Sequence, residues 1–160
     1  MNIGQLPCAL CMKSFPRVPL TIYRIQANLP VRLRDYDSQM ALGRTSFDLK
    51  LHNGLVLPMP LESEFHTPNG MSLRPAGENM RQILENFRGS PRIYRFQEYM
   101  ALPEGLILFH EHTDHYSLQT SVPTPLDELN QKLTMLLESL PSVTKEQWLD
   151  WYNDPDDQDN

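Results

Sequence analysis

The densest run of side chains able to do chemistry is His110-Glu111-His112-Thr113-Asp114-His115. On a strand, His110 and His112 would share one face. Glu111 or Asp114 could add an oxygen, giving the mixed nitrogen and oxygen donors that suit a divalent metal. The spacing is not HExxH, so the helical zinc-hydrolase arrangement is excluded. The run leads into Tyr116 and Ser117, and that stretch has two readings. In one, Tyr116 is a core residue between polar neighbours that face solvent. In the other, His115 and Ser117 line a ligand wall and Tyr116 offers a ring for stacking.

Two other segments place polar groups among apolar ones. Leu20 to Ile25 (LTIYRI) is β-branched and aromatic and reads as a strand. Alternation puts Thr21, Tyr23 and Ile25 on one face and Leu20, Ile22 and Arg24 on the other. An arginine on an apolar face is costly unless a partner or ligand meets it. In Pro68 to Pro75, Asn69-Gly70 makes a turn, and Ser72 and Arg74 point the same way if the stretch is extended. Three such elements in one chain point to a pocket. The CxxC pair Cys8 and Cys11 has no second pair to complete a zinc site, and prolines flank it where a thioredoxin-type motif has a strand and a helix. It reads as two incidental thiols.

The elements that would position these residues are mixed. Residues 1–18 read as an irregular arm, 19–153 as one domain, and 154–160 as a frayed acidic tail. Val31 to Tyr36 is expected to form a short second strand. Phe47 to Leu51 and Leu55 to Pro58, joined at Asn53-Gly54, read as a hairpin. Prolines 58, 60 and 68 hold an extended loop. Met80, Ile83, Leu84 and Phe87 give Glu78 to Phe87 a helical period. Strands are expected at Arg92 to Phe96, Leu106 to His110 and His115 to Thr120. Thr124 would cap a helix with Pro125 as its first residue and an apolar face from Leu126 to Leu140. Thr144 to Gln147 is a capping box for a last helix carrying Trp148 and Trp151. The fold class is α+β.

The net charge is −6, and without the four aspartates of the tail the body is near −2. Such a chain has no basic field to attract a nucleic-acid backbone, so nucleic acid is not expected as a partner. The cluster Arg17, Arg24, Arg32 and Arg34 would still suit a small anion such as a pyrophosphate. No apolar run nears the roughly 20 residues of a membrane span, and the first residues lack the order of a signal peptide. The expectation is a cytoplasmic protein without a membrane partner, and one exported without a leader would look the same.

Four blocks resemble a known family. They are Leu20-Thr21-Ile22-Tyr23-Arg24, Asn69 to Pro75, Leu102-Pro103-Glu104-Gly105, and Asp114-His115-Tyr116-Ser117 followed by Pro123 and the helix from Leu126. In order and spacing, from about Leu20 to Trp148, they are similar to the ADP-ribosyltransferase toxins typified by a small type VI secretion effector, with its fungal relatives. The resemblance implies a split antiparallel β core with flanking helices and a cleft for NAD between the half-sheets. It implies that Arg24 contacts an NAD phosphate or ribose, and it leaves room for an immunity protein as a partner. Many members of the superfamily carry a glutamate on a late strand. Here His115 to Thr120 has none, and Gln119 stands nearest to that role.

Cleaving the nicotinamide–ribose bond builds positive charge on the ribose, so a site must grip the pyrophosphate, orient the base and steady the charge. On this reading Arg24 and Arg74 hold phosphate, with Ser72 and Ser117 beside them, and Tyr23 or Tyr116 stacks on a ring. His115 and Gln119 bond the ribose hydroxyls, and Glu111 serves as an acid partner. NAD is then the substrate, with a protein, a nucleotide or water as acceptor. Two alternatives stay open: a metal-dependent hydrolase using His110, His112 and Asp114, and a binding module that keeps the fold without the chemistry.

Overall fold

The computed structural model describes residues 10–154 and 156. Cys8 and most of the acidic tail lie outside them. Nine strands and four helices alternate in the described chain: β1 (Lys13–Phe15), β2 (Ile22–Gln26), α1 (Tyr36–Ala41), β3 (Leu55–Val56), β4 (Met71–Pro75), α2 (Glu78–Asn86), β5 (Arg92–Phe96), β6 (Leu106–His112), β7 (His115–Thr120), β8 (Thr124–Pro125), α3 (Leu126–Glu138), β9 (Ser142–Thr144) and α4 (Lys145–Asn153). Seven strands form one antiparallel sheet in the order β1-β6-β7-β4-β2-β5-β9, and β3 pairs with β8 apart from it. The α+β class expected from the sequence is the one observed. Among the described residues no helix is long and apolar enough to cross a membrane.

The period-two alternation of the strands divides the core. Ile22, Met71, Leu73, Phe96, Leu108 and Leu118 pack with Leu129, Leu133 and Leu137 of α3. From the other face, Tyr23 and Ile93 pack with Met80 and Leu84 of α2 and Trp148 of α4. The capping box of α4 forms as its sequence predicts, between Thr144 and Gln147.

β4 is the strand on which the sheet divides. Its first three residues, Met71 to Leu73, pair with Leu118 to Tyr116 of β7. Its last two, Arg74 and Pro75, pair with Tyr23 and Ile22 of β2. From Arg24 onward β2 no longer pairs with β4 and keeps β5 alone. A cleft opens between them. Gly70, just before β4, runs so close to β7 that a Cβ there would collide with the Leu118 carbonyl.

Several local expectations are corrected. Within the arm read as irregular, Lys13–Phe15 adds a strand to β6, and Met12 and Val18 are buried. Val31 to Tyr36 is not a strand. The amides of Val31 and Leu33 donate to Thr134 Oγ1 and Asn130 Oδ1, one turn apart on α3, at 2.8 and 3.0 Å. Side chains there replace the ladder a strand would need. The Asn53-Gly54 turn forms with both residues at positive φ, but it closes only a His52–Leu55 bridge, and the strand after it pairs with β8. Thr124 does not cap α3. It is buried in β8, sharing a hydrogen bond with Thr120, and Pro125 is the cap residue.

Candidate functional site

The cleft at the split has a volume of about 460 Å³. Arg24 comes from β2, Arg32 and Arg34 from the segment before α1, Ser72 and Arg74 from β4, and His115 from β7. Tyr23, Met80, Ile83 and Phe87 form its apolar side. A second cavity, about 540 Å³, lies against β5, β9 and α4 with Trp148, Trp151 and Arg95 in its wall. It is larger, but a lone arginine there faces aromatic rings, whereas the cleft gathers four guanidinium groups and an imidazole.

The cations of the cleft are held in different ways. Arg24 donates from Nε to Gln26 at 3.0 Å and from Nη1 to the Ser72 carbonyl at 3.2 Å. Among the described residues it has no carboxylate at ion-pairing distance. Burial pushes its guanidinium down to about 10, against an opposing pull from Asp48. The group stays charged at neutral pH but is poorly compensated. Arg34 is gripped by Asp48 through two 3.0 Å bonds, and its own amide donates to the same carboxylate at 2.7 Å. Arg74 pairs with Asp114 at 2.6 Å, and Asn79 donates to that carboxylate's other oxygen at 3.0 Å.

His115 stands at the junction of three strands. Its Nδ1 lies 3.0 Å from Glu111 Oε2 and its Nε2 lies 3.1 Å from Ser72 Oγ. The register of β6 and β7 shifts between His110 and His112, because His110 faces Tyr116 but His112 faces His115. Glu111 is the extra residue of this bulge, a device that re-aims a side chain. Its carboxylate is only 1% exposed and meets the imidazole from behind.

Of the residues selected from the sequence, Arg24, Tyr23, Ser72, Arg74 and His115 line the cleft, and Glu111 backs it. Three others lie elsewhere. Ser117 and Gln119 are buried, bonded to each other at 3.2 Å, and Gln119 accepts from Asn69 at 3.2 Å. That network is the continuation of the polar face of β7 beneath the cleft wall. Tyr116 turns to the opposite face and stacks on His110, with ring centroids 4.5 Å apart and planes 15° apart. The sequence reading missed Asp48 and Asn79. Asp48 had no clear signal, since the alternation of Phe47-Asp48-Leu49-Lys50-Leu51 puts it with Lys50 on a polar face.

The metal trio of the alternative reading, His110, His112 and Asp114, is not brought together. His110 Nε2 is 2.7 Å from the Thr113 carbonyl, and Asp114 is occupied by Arg74 and Asn79. Donor atoms of Glu111, His112 and His115 do lie within 4.8 Å of one another. The His112 and His115 rings, however, stack at 5.2 Å and 10°. Both ring nitrogens of His115 are also already engaged, by Glu111 and by Ser72.

The split antiparallel sheet with its flanking helices is the α+β architecture of an ADP-ribosyltransferase-like protein. The model of the Tse2 ADP-ribosyltransferase toxin family matches residues 20–148, and the chain belongs to that family. No curated protein and no solved structure matches it.

Proposed function

We propose that the cleft binds NAD and cleaves its nicotinamide–ribose bond, passing ADP-ribose to an acceptor or to water. The observation that carries the reading is the convergence of Arg24, Arg32, Arg34 and Arg74 with His115 on one opening in a member of this toxin family. Arg24 holds the pyrophosphate, for among the described residues it has no carboxylate at ion-pairing distance, and a phosphate supplies the missing charge. Arg32 joins it from the rim. The apolar side formed by Tyr23, Ile83 and Phe87 suits the nicotinamide ring, and His115 and Ser72 meet the ribose. Gln119 supports the wall from beneath.

Purified protein is expected to release nicotinamide from NAD, and Arg24→Ala to lose that activity while folding normally. Folded wild-type protein that neither binds NAD nor releases nicotinamide would overturn the reading.

A further inference from the structure

A carboxylate can only accept a hydrogen bond, so the proton between Glu111 and the imidazole is on His115 Nδ1. Nε2 then carries the lone pair and accepts from the Ser72 hydroxyl in the 3.1 Å contact. With its hydrogen turned to Nε2, Ser72 Oγ has only lone pairs left for a ligand in the cleft that it lines. Groups from β4, β7 and the bulge of β6 thus form a chain in which each proton points toward the carboxylate. Among the described residues, two other carboxylates bond to cations of the cleft, Asp48 to Arg34 and Asp114 to Arg74. Glu111 meets an imidazole instead, so no guanidinium cancels its charge. Its side chain is 1% exposed, and water there screens it little.

We infer that Glu111 is a positioning residue that acts through His115: it sets the imidazole tautomer and so makes Ser72 Oγ an acceptor for a hydroxyl of the ribose beside nicotinamide. The substrate named here rests on the NAD reading above. A ribose hydroxyl that donates to Oγ extends the chain by one link with the same direction. Hydrogen bonds aligned in this way polarise one another, so electron density is pushed from the carboxylate toward the sugar. No proton changes hands. As nicotinamide departs with the bonding pair, positive charge builds on the ribose, and the polarised hydroxyl oxygen steadies it. The bulge gives the chain its origin, because only the extra residue in β6 brings a carboxylate behind the imidazole. The opposite tautomer would turn the chain around: Nε2–H would donate to Ser72, whose own hydrogen would then face the ligand and repel a donor.

The test uses the whole chain and two variants. Nitrogen NMR distinguishes protonated from bare imidazole nitrogens, and the His115 signals are those lost in His115→Ala. In wild-type protein at alkaline pH, where imidazoles are neutral, the proton is expected on Nδ1. Glu111→Gln keeps an acceptor and loses the charge. The same tautomer is expected, with kcat for nicotinamide release about 10- to 100-fold lower, as for loss of a hydrogen bond to a charged group. KM for NAD should change little, because the lost attraction grows only as charge builds on the ribose. Glu111→Met removes the acceptor as well, so the proton should move to Nε2 and kcat should fall further. A merely structural Glu111 would lower the melting temperature and leave tautomer and kcat per folded molecule alone. A wild-type proton on Nε2, or wild-type kcat in Glu111→Gln, overturns the inference and leaves the NAD reading standing. If the folded protein releases no nicotinamide, the NAD reading has failed, and the tautomers of wild type and Glu111→Met alone decide whether Glu111 sets the direction of the chain.

Discussion

Arg24 donates from Nη1 to the main-chain carbonyl of Ser72, 3.2 Å away, across the point where β2 and β4 part. One side chain thus spans the opening and ties together the strands that flank it. Its charge has no acid partner among the described residues, and burial works against it.

Arg24→Met is therefore expected to separate stability from activity. A guanidinium with a depressed pKa is a charge the folded state holds at a cost below that value, so removing it relieves the fold at neutral pH. The variant should melt about 2–4 °C higher, for a gain of about 1 kcal/mol. Its NAD cleavage should fall about 10- to 100-fold or more, the worth of one charge-assisted hydrogen bond. Calorimetry and nicotinamide release together decide this. A variant that is both less stable and fully active contradicts the assigned role.

Gln119→Ala should do the reverse. Its side chain satisfies Asn69 and Ser117 in the interior, and truncation leaves both without that partner. A loss of about 1–3 kcal/mol in denaturant unfolding is expected. Activity per folded molecule should change much less than for Arg24→Met. A normally stable, inactive Gln119→Ala would restore the residue to the chemistry.

Much of the cleft was legible because strands advertise their faces. The alternation of LTIYRI isolated Arg24, and Ser72 with Arg74 followed from an extended stretch after the Asn69-Gly70 turn. What the sequence did not reveal depends on register. Period-two alternation alone cannot say that β6 bulges at Glu111, and without the bulge the carboxylate behind His115 is invisible. Val31 to Leu33 was misjudged for a related reason. Its apolar residues have strand spacing, but its amides are satisfied by Thr134 and Asn130, about a hundred residues away. Tyr116 was open to either reading, and packing decided for the core.

Gly70→Ala is expected to destabilise by about 1–3 kcal/mol, as overpacking does. The new Cβ would meet the Leu118 carbonyl, a main-chain atom that moves only if β4 and β7 separate. Hydrogen exchange should then quicken at the amides of Met71 to Leu73. Unchanged exchange and melting would show that the approach is looser than described.

The histidines should rank differently from a metal site. His110→Ala loses a stacking contact with Tyr116 but no group on the cleft. Modest destabilisation with activity retained is expected, whereas His115→Ala should be inactive and a chelator without effect. Loss of activity on chelation, restored by a divalent metal, would refute this ranking.

Asp35 offers a pH test of the segment that carries Arg34. Its carboxylate caps α1 by accepting from the Ser38 amide at 3.1 Å, and the hydrogen bonds to Ser38 hold it below the usual aspartate value. A depressed folded pKa gives stability that is present above the unfolded value and lost as pH falls through the folded one. Asp35→Ala should cost about 1 kcal/mol at pH 7. The difference from wild type should shrink as pH drops below about 4. A gap that stays constant to low pH would show that the charge is not involved.

The grip of Asp48 on Arg34 and of Asp114 on Arg74 also shapes what the protein attracts from afar. Each carboxylate cancels a cation within the cleft, so the field a ligand meets within a Debye length of the surface is set mainly by the net charge of −6. A long polyanion approaching the surface meets repulsion before it meets an arginine. A compact phosphorylated ligand can enter, displace aspartate oxygens with its own and collect the guanidinium groups at short range. Selection is then made by size at the mouth of the cleft rather than by steering, and the rate of capture should respond only weakly to salt.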